Sequence, residues 1–360
     1  MTFAASLLLA LITTLPTILP PAGGPPGGLL SPPLPLGDWV IRTPVVLADV
    51  TLRLRGNVIV ERGGILVLRG ATLRMEGERD GDRTIRVESG GRLVTSYSPL
   101  TRRRSEIRRG ELPGRFSFEV ARGGAVQLTS TIVSGAGWDA AHPGLVIDSG
   151  EDGGATIADC DLFDNHVGIT IRSGDHEIVA STVHDNEDAG LVVEGGSASV
   201  EVADFAAQAV AIRVAPAARL HLASAVVRQS NIGLWASGSS TEVDHGIFLE
   251  NGFHVRFDRA AAGSLRDTVL IAALHAAVLT EGESTALLRR NDLVANRFAV
   301  WNGNDGLAPR IDARENYWGA ADGPGGDAGG SGDPVSGGVE FSPWCTESCR
   351  REPGADGGER

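Results

Sequence analysis

The chain contains no lysine: all 32 of its basic residues are arginine, set against 45 carboxylates, which leaves a formal net charge of −13 over 360 residues. A balance this acidic excludes nucleic acid as a partner, because phosphate recognition needs a basic surface. The missing lysine itself is read as a compositional bias. Aromatic residues make up only 5% of the chain while glycine reaches 48, a mixture that suits short strands with frequent corners. Cysteine is nearly absent, and the pair Cys345 and Cys349 offers too few ligands for a metal site; in an oxidising compartment it would close a short loop. No apolar run is long enough for a convincing membrane span. The best stretch, Phe3 to Leu19, is short and interrupted by proline, and it reads as an export signal although Met1 and Thr2 carry no basic charge. The mature chain is therefore expected not to insert in a membrane.

What the chain has is repetition. From Asn165, a turn position recurs at Asn186, Gln208, Ser230, Asn251, Ala273, Asn296 and Asn316, at intervals of 20 to 23 residues. Three residues earlier stand Leu162, Val183, Phe205, Val227, Phe248, Leu270 and Leu293; eight earlier stand Ile157, Ile178, Val200, Leu222, Val243, Leu265 and Leu288. Five earlier the side chain is small in every case but Asn291, and Cys160 falls in this inward column as a packing residue. A second phrase, Val-x-x-Gly-Gly, marks another corner at Gly63, Gly90 and Gly123. Apolar residues at period 2 inside a fixed repeat of about 22 describe short strands joined by tight corners and stacked coil on coil.

These columns, with the pattern S-x-V-x-x-N-x-x-G-I-x-V, resemble the right-handed parallel β-helix repeat proteins of the pectate-lyase-like superfamily. The resemblance covers roughly Val50 to Trp318 and implies an all-β solenoid of about eleven coils. Asn316-Tyr317-Trp318-Gly319 and the following Gly-Pro, Gly-Asp and Pro-Trp phrases are similar to the closing segment of secreted members of this group. The expected organisation is an export signal over 1–22, a Pro/Gly-rich linker over 23–37, the solenoid over 38–318, a cap over 319–345 plugged by Trp318, Phe341 and Trp344, and a polar tail over 346–360.

The early coils are oversized, and their surplus falls in three excursions: Met75 to Arg83, the arginine-rich Ser96 to Arg115, and Ser134 to Pro143. Each is expected to replace the Asn corner, so that three loops project side by side from one edge. The third brings Asp139 and His142 to Asp164 and His166 of the next coil, a set suited to acid–base work. His184, Asp185 and Asp188, one coil further on, are candidate metal ligands. Asp159, Asp161 and Asp204 share an outer face and are candidates for a hydrolase carboxylate pair. Plain solvation of a corner accounts for all of these groups equally well.

A second surface lies on the strand after the Asn corner, whose outward column reads Thr170, Val192, Arg213, Trp235, Arg256, Val278 and Trp301. Tryptophan stacks on sugar rings and arginine engages carboxylates, so Arg213, Trp235, Arg256 and Trp301 are the candidate substrate-binding residues. The plainer reading lays the arginines over the Trp235 ring as cation–π pairs. No cofactor is called for; Asp322, Asp327 and Asp333 among glycines offer oxygen ligands to calcium. The function expected is a secreted or cell-surface module that binds extracellular carbohydrate, with an acidic polysaccharide as one candidate ligand. The alternatives are a polysaccharide lyase, hydrolase or epimerase with its site beside the N-terminal loops, and a purely structural surface protein.

Overall fold

The structure, a computed structural model, describes residues 37–150 and 153–350. The export-signal segment, nearly all of the linker and the last ten residues of the tail lie outside them. No helix among the described residues is long and apolar enough to cross a membrane.

One coil shows the plan. Val167–Ser173 gives a strand to the first sheet, Asp175–Val179 to the second and Thr182–His184 to the third, and the next coil repeats the order. The sheets contain 14, 13 and 11 strands, and every strand between named neighbours pairs in parallel with its counterpart one coil away. Eleven coils thus carry all three strands, in a right-handed parallel β-helix. Alternate side chains of each strand point inward and stack on their own kind: Val183, Phe205, Val227 and Phe248 succeed one another in register, all fully buried. Strands lie about 4.8 Å apart, so a single coil buries little by itself and the core exists only as a stack.

The three corners are built differently. Between the first and second sheets, Gly63, Gly90 and Gly123 take positive φ of 81°, 74° and 75°, the service that the Val-x-x-Gly-Gly phrase performs. The other two corners turn on one residue in the left-handed region, and that residue is seldom glycine. Asp159, Ala180, Val202, Ser224, His245, Asp267 and Arg290 make the corner into the third sheet; Asp164, Asp185, Ala207, Gln229, Glu250, Ala272 and Ala295 make the corner out of it. Such a conformation costs roughly 1–2 kcal/mol for an L-residue. At the corner out of the third sheet, the residue that follows is a buried polar side chain in each of these coils except at Ala273, and its hydrogen bonds offset the cost. Asn186 Oδ1 accepts from the Asn165 backbone N–H and from Asn165 Nδ2, each at 3.1 Å, while Asn186 Nδ2 donates to the Leu162 carbonyl at 3.1 Å and to Gln208 Oε1 at 3.2 Å. The Asn column is therefore an interior ladder, fully or almost fully buried, rather than a solvent-facing corner.

The register differs from the sequence reading in three places. Asn316 does not follow Asn296; its Oδ1 accepts from the Asn291 backbone N–H at 2.8 Å, which places it in the other corner column, behind the left-handed Glu315. This explains why Asn291 breaks the run of small residues. The place after Asn296 is taken by Asp333, whose Oδ2 accepts from the Asn296 N–H at 2.7 Å and from Asn296 Nδ2 at 2.8 Å. Second, the arginine-rich excursion is not one loop. Residues 97–104 bulge between the second and third sheets, Ser105–Arg109 is a strand of the third sheet carrying Arg108 and Arg109, and only 110–115 reach the Asn edge. Third, Arg256 pairs with Leu279 rather than Val278, which points inward.

Past Trp318 the chain adds Pro324–Gly326 and Gly332–Val335 to the first sheet and Val339–Glu340 to the second. Trp318 is fully buried against the last coils, Phe341 packs partly against the core, and Trp344 stays exposed with its Nε1 donating to the Ala321 carbonyl at 3.2 Å. Cys345 and Cys349 form a disulfide and Cys160 is a buried free thiol, its pKa pushed up to about 12 by burial. Asp322 accepts from the backbone and hydroxyl of Ser331, and Asp333 is committed to Asn296, so these two carboxylates are occupied separately rather than joined about one ion.

Candidate functional site

Three loops, 76–82, 110–115 and 135–143, do lie together at the edge where the third sheet passes into the first. Gly81 N–H donates to the Arg115 carbonyl at 3.0 Å, Arg115 N–H donates to Asp80 Oδ1 at 2.8 Å, and the Trp138 ring lies against Gly81 so closely that a Cβ there would stand 3.0 Å from it. Arg115 organises the groups below. Its Nη2 donates to Asp164 Oδ1 at 2.9 Å and to Glu187 Oε1 at 2.7 Å, and His166 Nδ1 stands 3.1 Å from Glu187 Oε2. Asp139 and His142 form a separate exposed pair, Oδ1 to Nδ1 at 2.9 Å, with Trp138 stacked on the imidazole at 4.2 Å. The hydrogen bond from His142 holds the Asp139 carboxyl below the usual range, whereas a general base at neutral pH works best with its pKa near the working pH. The sequence thus placed Asp139, His142, Asp164 and His166 at one edge, and the structure divides them: Asp139 and His142 contact each other, whereas Asp164 is held by Arg115 and His166 faces Glu187.

The proposed metal ligands diverge. His184 Nδ1 faces Asp185 Oδ2 at 2.6 Å while its Nε2 faces Asp161 Oδ1 at 3.0 Å, so the two carboxylates sit on opposite nitrogens of one ring. Asp188 turns away to a two-pronged contact with Arg213, both prongs at 3.2 Å. The hydrolase candidates are also engaged: Asp204 takes both prongs of Arg228, Asp161 holds His184, and Asp159 accepts from Ser130 Oγ at 2.5 Å.

The outer face of the first sheet is different in kind. Register pairs Thr170, Val192, Arg213, Trp235, Arg256, Leu279 and Trp301 in one outward column. Beside it runs a second column, Val167, Ala189, Val210, Ile232, Phe253 and Ala276. Together they give an apolar track along the stack, with Val167, Ala189, Val192 and Val210 packed into a buried cluster and Ile232 and Trp235 against it. The centre of the track is closed to ligand in one respect. Arg213 and Arg256 lie over the Trp235 ring at 5.6 and 5.2 Å, Arg256 Nε donates to Glu281 at 3.0 Å, and Trp235 Nε1 donates to Asp258 at 3.1 Å. Both arginines named from the sequence are thus cation–π partners already neutralised by carboxylates.

The track ends in an open depression of about 280 Å³ lined by Phe253, His275, Arg297, Phe298 and Trp301. None of Asp139, His142, Asp164 or His166 lines it. Its wall comes from one extra residue. The corner Asn251-Gly252-Phe253 corresponds to Ala273-Leu274-His275-Ala276, since Phe253 pairs with Ala276; the longer turn pushes Leu274 and His275 outward and sets His275 5.0 Å from the Phe253 ring. Phe298 and Trp301 approach at 5.5 Å, and Trp301 is 43% exposed. Arg297 makes no ion pair among the described residues, unlike Arg213 and Arg256. Sequence reasoning found Trp301 and missed Arg297, Phe298, Phe253 and His275. The available signal was the coil with one residue too many, next to an exposed arginine and two phenylalanines.

Chemically, the depression offers ring faces to an apolar surface and one unspent guanidinium to an anion. No family model and no curated protein matches this chain. Among solved structures, the fold is similar to that of the periplasmic alginate epimerase AlgG, with a TM-score of 0.62 and 13% identity over 82% of this chain and 77% of that one. A mutant form of the same epimerase gives a TM-score of 0.65 at 14% identity, over 82% of this chain and 78% of that one. The likeness establishes a shared parallel β-helix scaffold.

Proposed function

We propose that this protein is a secreted or cell-surface module that binds extracellular carbohydrate on the outer face of the first sheet, with an acidic polysaccharide as ligand. The observation that carries the reading is the aromatic depression at Trp301, where three further rings and the unpaired Arg297 converge. Its volume of about 280 Å³ lies just below the range of roughly 300 to 1,000 Å³ usual for ligand sites, so it suits a single sugar unit. Trp301 would stack on the sugar ring and Arg297 would meet its carboxylate. Binding is favoured over catalysis because each acid–base candidate at the loop-bearing edge already has a hydrogen-bond partner, Asp139 with His142, Asp164 with Arg115 and His166 with Glu187, and all stand apart from the depression. The Cys345–Cys349 disulfide and the apolar Phe3 to Leu19 stretch support export. The scaffold shared with a periplasmic enzyme of alginate is consistent with it.

The test is a glycan array of neutral and acidic oligosaccharides, followed by titration of the best ligand against Arg297→Gln. The reading expects an acidic glycan to be selected and the variant to lose the preference for it over a neutral homologue. Selection of neutral glycans alone would remove the role of Arg297. Chemical change of the bound glycan would shift the reading to the enzyme alternatives.

A further inference from the structure

On a different face, the second sheet, His221 and Glu242 stand opposite one another in register, and Asp244 follows two residues after Glu242 on the same outward side. One ligand atom from each lies within 4.8 Å of the other two. We propose that these three side chains form a site for a divalent transition metal, zinc being the natural occupant.

The geometry is specific. Ligands bound about 2.0–2.1 Å from a tetrahedral zinc stand roughly 3.3 Å from each other. His221 Nε2 and Asp244 Oδ2 are already 3.3 Å apart, and Glu242, exposed and on a longer side chain, has only to swing in. The strands that carry them are rigid rungs of the ladder, so the pairing distance is set by the fold and not by a loop. Neither carboxylate forms an ion pair with an arginine among the described residues; the single ionic contact in the group is the one between His221 and Asp244. That separates this cluster from its neighbours. Asp188, Asp204 and Asp267 are each held by an arginine, and His184 has its two carboxylates on opposite nitrogens. Here the three ligand atoms lie on one side, within 4.8 Å of one another. One imidazole and two carboxylates favour zinc or a related first-row ion over calcium, which takes six to eight oxygen ligands. Three protein ligands leave a fourth position for water.

The experiment is calorimetric titration of untagged, metal-stripped protein with Zn2+, alongside His221→Gln, Glu242→Gln and Asp244→Asn, each first matched to the parent in circular dichroism and melting temperature. One equivalent of zinc is expected, with the affinity reduced at least tenfold in every variant. Co2+ should give the visible absorption of a low-coordinate site with the parent and not with His221→Gln. Failure to bind zinc, undiminished binding by His221→Gln, or displacement of zinc by an equal concentration of Ca2+ would each overturn the proposal.

Discussion

Replacing Asn186 by alanine tests the idea that the corners are held by an internal polar ladder. The side chain makes four hydrogen bonds, and two of them serve backbone groups that cannot move: the Asn165 N–H at 3.1 Å and the Leu162 carbonyl at 3.1 Å. Asn186 is buried, so water is not at hand to replace it. Stranding two buried backbone groups at roughly 1–3 kcal/mol each gives a loss of about 2–6 kcal/mol. Asn186→Asp refines the test. It keeps an acceptor for Asn165 but turns a second oxygen toward the Leu162 carbonyl and Gln208 Oε1, where only a donor fits. A carboxyl in that position is favoured in its protonated form, so its folded pKa rises above the unfolded value of about 3.9. The sign follows from linkage: relative to the parent, the variant is most stable below about pH 3.9 and loses stability as pH rises toward the folded pKa. Denaturant melts at several pH values, with amide exchange at Asn165 as a local probe, measure both effects. An Asn186→Ala protein within about 0.5 kcal/mol of the parent would refute the reasoning, because surface substitutions behave that way.

The inward ladder and the surface arginines should separate sharply: Phe248→Ala should cost about 3–5 kcal/mol in denaturant melts, since Phe248 is fully buried between coils, whereas Arg103→Ala, which loses one 3.2 Å contact to Thr72 Oγ1, should stay close to the parent. The two tryptophans of the outward column should also differ: Trp235→Ala lowers the melting temperature by removing the ring beneath Arg213 and Arg256, while Trp301→Ala leaves it nearly unchanged. Arg314, with Arg289, holds the Asp312 carboxyl well below the usual carboxylate range against its partial burial. A depressed folded pKa contributes stability above the unfolded value of about 3.9 that is lost as pH falls below it. Asp312→Asn should therefore melt earlier than the parent at pH 7, and the difference should shrink in acid.

The fold was legible because a solenoid writes its core into sequence as columns: Leu162, Val183 and Phe205 point inward at a fixed interval, and nothing but stacking makes use of that interval. The glycine corner was legible because positive φ at Gly63 and Gly90 suits one residue type. The corner into the third sheet was not, since Val202, Ala180 and His245 take the same left-handed conformation with no compositional mark. Asn316 was misplaced because either polar column accepts asparagine, and only the hydrogen bond to Asn291 distinguishes them. The loop-bearing edge was found from the surplus of residues in the early coils, but the way Arg115 ties Asp164 to Glu187 depends on side chains from three coils. Trp301 stood out as an exposed aromatic. The rest of its depression did not, because it follows from a one-residue insertion at His275 whose effect appears only when coils are laid on one another.

The central claim is that carbohydrate binds where the track meets Trp301. Isothermal titration of an acidic oligosaccharide into the parent and into Trp301→Ala tests it most directly, with both proteins shown to melt alike. Salt is held constant, because it screens both the net charge of −13 and the local contact with Arg297. The account predicts at least a tenfold loss of affinity in Trp301→Ala with an unchanged melting temperature. Equal affinity in the two proteins would contradict it.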